Sequence, residues 1–263
     1  MPTVYELALL SQATYELDAE LERQNTKIRD QGGFGSWHMG PTIRSDGGGF
    51  QAAVYNKGID KVIAFRGTAG GGDYIADAAL GFGSNSTYFA LAEEFVEKHG
   101  GGSRVILTGH SLGGAIAQIV GNRQRRTICT FNAPGVAVLA SRNLASTGPR
   151  RLAIRTAVMA VSAIRFPVQA YRDTISAFNP VHGLNVRLDM CPISQIGVHY
   201  GRVLTIPCTV DPQTLPKGGG IFKDHTIAFG KTELFYHSID TLVASLESER
   251  NSVVRRTSIR PVH

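Results

Sequence analysis

A serine between two glycines, at the junction of a strand and a helix, constrains this chain more than any other feature. The apolar run Val105-Ile106-Leu107 leads into Thr108-Gly109-His110-Ser111-Leu112-Gly113-Gly114, and the helix-compatible Ala115-Ile116-Ala117-Gln118-Ile119-Val120 follows directly. A backbone that leaves a buried strand, turns sharply and enters a helix while presenting a hydroxyl needs neighbours without bulky side chains, and Gly109 and Gly113 supply them. Such a nucleophile elbow predicts an α/β architecture, with a mostly parallel sheet covered by helices. It puts Ser111 at the carboxyl edge of that sheet, where the sites of such folds lie.

The rest of the chain can be divided on the same plan, and its 263 residues suit one domain spanning 1–263. Val4, Leu7, Ala8, Leu10, Ala13, Leu17 and Leu21 recur at helical spacing and predict a covering helix over 4–22. The Gly-rich stretch 32–49 reads as loop or paired turns, and 50–55 and 61–65 as two strands of a hairpin across Asn56-Lys57-Gly58. A helix over 86–99, stopped by Gly100-Gly101-Gly102, delivers the chain into the strand 104–107, and Thr127–Phe131 is the strand after the elbow helix. Strands are expected at 184–188 and 202–206 and a last helix at about 237–246, while the basic tail 255–260 is expected to fray. The apolar, arginine-bearing stretch 141–180 is a helical cap or lid that lines an acyl-chain pocket, or else a covering helix packed on the sheet.

Composition removes several classes of function. Apolar residues make up 43% and charged residues 18%, and no stretch approaches the roughly 20 apolar residues of a membrane span. The opening Met1-Pro2-Thr3-Val4 lacks a basic segment followed by an apolar one, so no cleavable signal peptide is expected. That leaves a cytoplasmic protein or one exported by a route without such a signal. Cys129, Cys191 and Cys208 are odd in number and lack metal-ligand spacing, which argues against a disulfide scaffold. No metal or cofactor is expected either. The net charge of +6 suits an anionic partner such as a phospholipid surface, whereas nucleic acid is not expected, because the basic residues are not interleaved with stacking aromatics.

A serine hydroxyl becomes a useful nucleophile when a histidine takes its proton and a carboxylate holds that histidine in the right tautomer. In an elbow architecture both partners follow the serine in the chain. Of His182, His199, His225, His237 and His263, the choice falls on His237, which precedes the helix start Ser238-Ile239-Asp240 near the end of the fold; His225 is the runner-up. Asp189 is preferred as the acid because it ends an apolar strand ahead of a loop containing Pro192, a placement that Asp173, Asp211, Asp224 and Asp240 lack. The oxyanion donors expected are the backbone N–H of Leu112 and the amide and hydroxyl of Thr68, which follows Val62-Ile63-Ala64-Phe65-Arg66-Gly67.

The blocks Phe65-Arg66-Gly67-Thr68 with Asp73 and Asp77, Thr108 to Ala115, Thr130-Phe131-Asn132-Ala133-Pro134-Gly135 and His237-Ser238-Ile239-Asp240 together resemble the class 3 lipases. They stand in the family's order and spacing, closely over roughly 50–136 and more loosely over 184–246. The resemblance implies an α/β-hydrolase fold and hydrolysis of carboxylic esters of lipid or phospholipid. It implies Ser111 as nucleophile, His237 as base and Thr68 in the oxyanion hole. It also implies Asp189 as the acid, since Asp189-Met190-Cys191-Pro192 matches the family's Asp-x-x-Pro. A second alignment sets Cys191-Pro192-Ile193-Ser194 on the Asp-Pro-Val-Ser of bacterial relatives and puts Cys191 where the acid belongs. Several bacterial effectors of the type VI secretion kind also resemble class 3 lipases, and for an effector the expected partner is an immunity protein over the catalytic mouth. Two other functions fit the same elbow: a lipase fold that has lost its acid and binds lipid or protein, and a thioesterase or peptidase.

Overall fold

A computed structural model describes residues 1–16, 18–30, 35–45, 50–67, 86–102, 104–136, 182–195, 197–211 and 235–261. Among the described residues, seven strands form one sheet whose spatial order is the order of the chain: β1 (His38–Arg44), β2 (Gln51–Lys57), β3 (Asp60–Phe65), β4 (Val105–His110), β5 (Thr127–Phe131), β6 (Gly183–Leu188) and β7 (Arg202–Ile206). The pairs β1–β2 and β2–β3 are antiparallel, and every later pair is parallel. This is the mostly parallel, helix-covered sheet expected from the sequence.

The two faces are filled by alternate residues of the same strands, as the strand period of two demands. Val62, Ala64, Ile106, Cys129 and Phe131 face a core built with α1 (Val4–Ala13), α2 (Asp18–Asp30) and α5 (Ile239–Glu247). Ile63, Phe65, Leu107 and Ile128 face a second core built with α3 (Ser86–His99) and α4 (Leu112–Gln124). Near-continuous apolar strands such as Val62–Phe65 are the signature of a sheet buried on both sides. Cys129 is one of these core side chains, and burial pushes its thiol pKa up, so it packs as a small hydrophobe.

Three expectations are corrected. The single helix over 4–22 is two: α1 ends at Ala13, where the Thr14 hydroxyl turns back to the Ser11 carbonyl at 2.7 Å. A side-chain bond of this kind competes with continued helix. Within the predicted loop 32–49 lies the edge strand β1, bulged between Met39 and Thr42. The tail is pinned rather than frayed. A short helix α6 (Ser252–Arg256) leads to Ile259, whose N–H bonds the Pro2 carbonyl at 2.9 Å, while the Val4 N–H bonds the Thr257 carbonyl at 2.8 Å. The start of α1 is itself fixed by a capping box between Thr3 and Glu6, and the Glu6 carboxylate also takes the Lys57 ammonium. The candidate cap at 141–180 lies outside the described residues.

Candidate active site

The site is assembled at the carboxyl ends of β3, β4 and β5 and the end of β6. β4 ends at His110, and Ser111 then adopts φ 56° and ψ −125°, a backbone conformation that costs a non-glycine residue energy and is held by its surroundings. One such restraint is the Ser111 N–H bonded to the Phe131 carbonyl of β5 at 3.1 Å. Room for the turn comes from Gly113, where a Cβ would be driven into the Phe65 carbonyl at the end of β3. Gly67 is equally confined, since a Cβ there would meet the Tyr15 hydroxyl, the His110 carbonyl and the Ser111 side chain. The two glycines therefore let the chain leaving β3 pass directly beside the serine.

His237 Nε2 lies 2.8 Å from Ser111 Oγ. The residue is carried by the segment that enters α5, with Ser238 as N-cap accepting from the Asp240 N–H. Its main chain is clamped from below. The His237 carbonyl accepts from His110 Nε2 at 2.7 Å and from Asn132 Nδ2 at 3.1 Å, and Asn132 Nδ2 also reaches the Tyr236 carbonyl at 3.2 Å. A carbonyl cannot donate, so His110 carries its proton on Nε2 and its Nδ1 accepts from the Tyr15 hydroxyl at 2.8 Å. Asn132, at φ 45°, uses its other amide atom to accept from the Leu188 N–H at 2.9 Å, which ties the end of β6 to the histidine.

The predicted acid is not where the sequence suggests. Asp189 is exposed at the turn after β6, and its Oδ1 accepts from the Cys208 N–H at 3.0 Å. The atom beside His237 Nδ1 is Cys191 Sγ, at 3.3 Å, and Cys191 is fully buried. The cause is local geometry. After Leu188 the chain makes an outward turn through Asp189 and Met190, and the Cys191 N–H returns to the Leu188 carbonyl at 3.2 Å, bringing the third residue inward. A short 3₁₀ turn, Ile193–Gln195, then follows.

Other candidates fall away from the serine. His182 precedes β6 at the far end of the sheet, bonding Ile128 N–H through its carbonyl, and His199 Nε2 reaches the Ala133 carbonyl at 2.8 Å. Asp240 accepts from Gln12 Nε2 at 2.5 Å. His225, His263, Asp173, Asp224, Asp73, Asp77 and the oxyanion candidate Thr68 lie outside the described residues. Leu112 opens α4, so its N–H has no intrahelical acceptor and sits at the positive end of the helix, beside Ser111. Tyr15, His110 and Asn132 escaped the sequence reading as members of this site.

Both imidazoles are held neutral. Burial, with a smaller contribution from His110, pushes the His237 pKa well below 6.5. Burial likewise lowers His110 to about 4, partly opposed by its bond to the His237 carbonyl. For a general base the sign is favourable, because a neutral Nε2 is available across the whole neutral range. The acid limb of kcat/KM is therefore expected below pH 6.5, read from ester hydrolysis between pH 4 and 8. An unfolded chain protonates its histidines near 6.5 and these two do not, so unfolding takes up protons as pH falls through that value. Stability is expected to drop from about pH 6.5 towards 4, checked by urea midpoints at successive pH values.

Comparison with known proteins gives this geometry a family. The model of a phospholipase-like family, the Tle-like phospholipase domain, matches residues 6–172. The extracellular phospholipase A1 of Serratia liquefaciens is 29% identical over 134 residues, which are 50% of this chain and 42% of that protein, so the alignment spans less than half of that relative's length. Among solved structures, lipase II from Rhizopus niveus is similar at a TM-score of 0.45 with 17% identity, covering 77% of this chain and 79% of that one. The lipase from Rhizopus microsporus var. chinensis is similar at 0.43 with 13% identity, covering 73% and 67%.

Proposed function

We propose that this chain, which belongs to the Tle-like phospholipase domain family, is a serine hydrolase of carboxylic esters in lipids, of the lipase or phospholipase A type. The observation that carries the reading is Ser111 Oγ at 2.8 Å from a buried, neutral His237 Nε2, on a strained strand-to-helix turn. His237 takes the Ser111 proton as Oγ attacks the ester carbonyl. The tetrahedral oxyanion is held by the Leu112 N–H and by Thr68, and collapse expels the alcohol and leaves an acyl-enzyme. Water activated by the same histidine then releases the fatty acid. Phospholipid presented at a membrane surface suits the family and the net charge of +6. Export as an effector is the finer form of the reading, and it predicts an immunity protein that blocks the mouth above Ser111.

The test is mass analysis of products from mixed glycerolipids. Fatty acid with the matching lysolipid is expected, and intact lipid after prolonged incubation at neutral pH would overturn the reading. Thr68→Val is expected to lower kcat by about 10²–10³ with KM little changed, the loss typical of one oxyanion donor. Cys191 in place of a carboxylate favours a second reading, a lipase fold that only binds. A binding module would yield no product in the same assay.

A further inference from the structure

Given the ester-hydrolase reading above, on which this inference rests, we infer that Cys191 is the positioning residue that orients His237, in the place a carboxylate would occupy, and that Asp189 has no part in the site. The geometry is specific. Cys191 Sγ lies 3.3 Å from His237 Nδ1, on the opposite side of the ring from Ser111 Oγ at 2.8 Å from Nε2. For Nε2 to accept the serine proton, Nδ1 must carry the ring hydrogen and have an acceptor in front of it, and the sulfur is that acceptor.

The surroundings of the sulfur keep it a neutral thiol. Burial is the largest influence and raises the Cys191 pKa, against smaller opposing contributions from Ser194, Ile193 and the guanidinium of Arg187, while the Ser194 hydroxyl donates to the Cys191 carbonyl at 3.2 Å. These residues belong to the 3₁₀ turn Ile193–Gln195 and to β6, and Arg187 is itself braced by Nη1 on the Ser194 carbonyl at 3.0 Å and Nε on Thr205 Oγ1 at 2.9 Å. The pocket disfavours a thiolate, so the sulfur faces His237 as a neutral acceptor. With a thiol in it, the ring is held by a weak acceptor; with a carboxylate, it would be held by a strong one. Among the described residues, the neighbouring candidates bind elsewhere: His110 Nε2 donates to the His237 carbonyl and its Nδ1 accepts from the Tyr15 hydroxyl, Asp240 accepts from Gln12, and Asp189 accepts from the Cys208 N–H.

The proton balance is simple. The Ser111 proton moves to Nε2, the imidazolium keeps its Nδ1 hydrogen pointed at sulfur, and the proton leaves again with the alcohol. Cys191 gains and loses nothing, so its role is orientation and stabilisation of the imidazolium.

The experiment compares wild type, C191S, C191A, C191D and D189N in pH profiles of kcat/KM on a nitrophenyl ester, with Ser111→Ala as baseline. C191S keeps an acceptor of similar size and is expected within about tenfold of wild type. C191A is expected to lose tenfold or more, though less than the ~10⁴ seen when a triad carboxylate is neutralised. C191D is expected to move the acid limb to higher pH by about 1–3 units, as a carboxylate beside an imidazole does. D189N should match wild type in rate and in limb. A C191A protein with the wild-type rate and limb, or a D189N protein with a displaced limb, would overturn the inference while leaving the hydrolase reading intact. Wild-type hydrolysis no faster than Ser111→Ala would instead remove the hydrolase reading, and the inference with it.

Discussion

Ser111→Ala is expected to lower turnover by up to about 10⁶-fold. The substitution removes one atom from a residue that is 5% exposed, and that atom bonds His237. The backbone that supports the elbow does not depend on Oγ: the Ser111 N–H bond to Phe131 and the Ala115 N–H bond to the Ser111 carbonyl persist. Alanine occupies φ 56° no more easily than serine, but no less easily, so the fold is expected to remain. The loss therefore falls on chemistry alone. Residual catalysis of about 10³–10⁴ over water, from the oxyanion donors and substrate binding, is expected to survive. Steady-state hydrolysis of a soluble ester, with urea unfolding as a control, checks both halves.

His237→Ala carries a comparable expectation, about 10⁶-fold, because an unassisted hydroxyl is as inert as a missing one. Its informative counterpart is the double variant. Ser111 and His237 act as one unit, so removing both should cost little more than removing either, and the losses should not multiply. The segment that carries His237 is held through its main chain, by His110 and Asn132 on the His237 carbonyl, and those bonds do not need the imidazole. A buried, neutral ring is removed, so the acid limb below pH 6.5 should vanish from whatever activity remains. Losses that multiplied in the double variant would mean that the two side chains work independently.

The parts of this protein legible in its sequence are those where one signal dominates. The strands β3, β4 and β5 are short apolar runs bounded by turns, and Gly113 marks the elbow because its neighbour is the main chain of Phe65. β1 was hidden because His38-Met39-Gly40-Pro41-Thr42-Ile43-Arg44 is an edge strand with a bulge and little burial, so it shows no alternation, and its glycine and proline mimic a loop. The tail looked frayed for its charge, yet Arg255 is buried with Nη1 on the Glu247 carbonyl at 2.7 Å, an anchor made only in the folded chain.

Within the site the same division holds. Ser111 has a local motif, and His237 announces itself by the helix start that follows. The acid position has no local signal that separates Asp189 from Cys191, since the two lie two residues apart and only the turn after Leu188 decides which one points inward. Tyr15 and His110 are 95 positions apart in the chain, and nothing in either neighbourhood foretells their bond. Asn132 offered one clue, an asparagine at the end of a strand before Ala133-Pro134-Gly135, where a left-handed backbone favours that residue.

The most direct measurement is labelling by a fluorophosphonate probe at neutral pH, read by intact mass and by mapping of the modified peptide. Only a serine whose proton is taken by a base reacts quickly with such a probe. One adduct per chain on Ser111 is expected, absent from Ser111→Ala and strongly slowed in His237→Ala. A wild-type protein that stays unlabelled, or that is labelled equally fast without His237, would contradict the account.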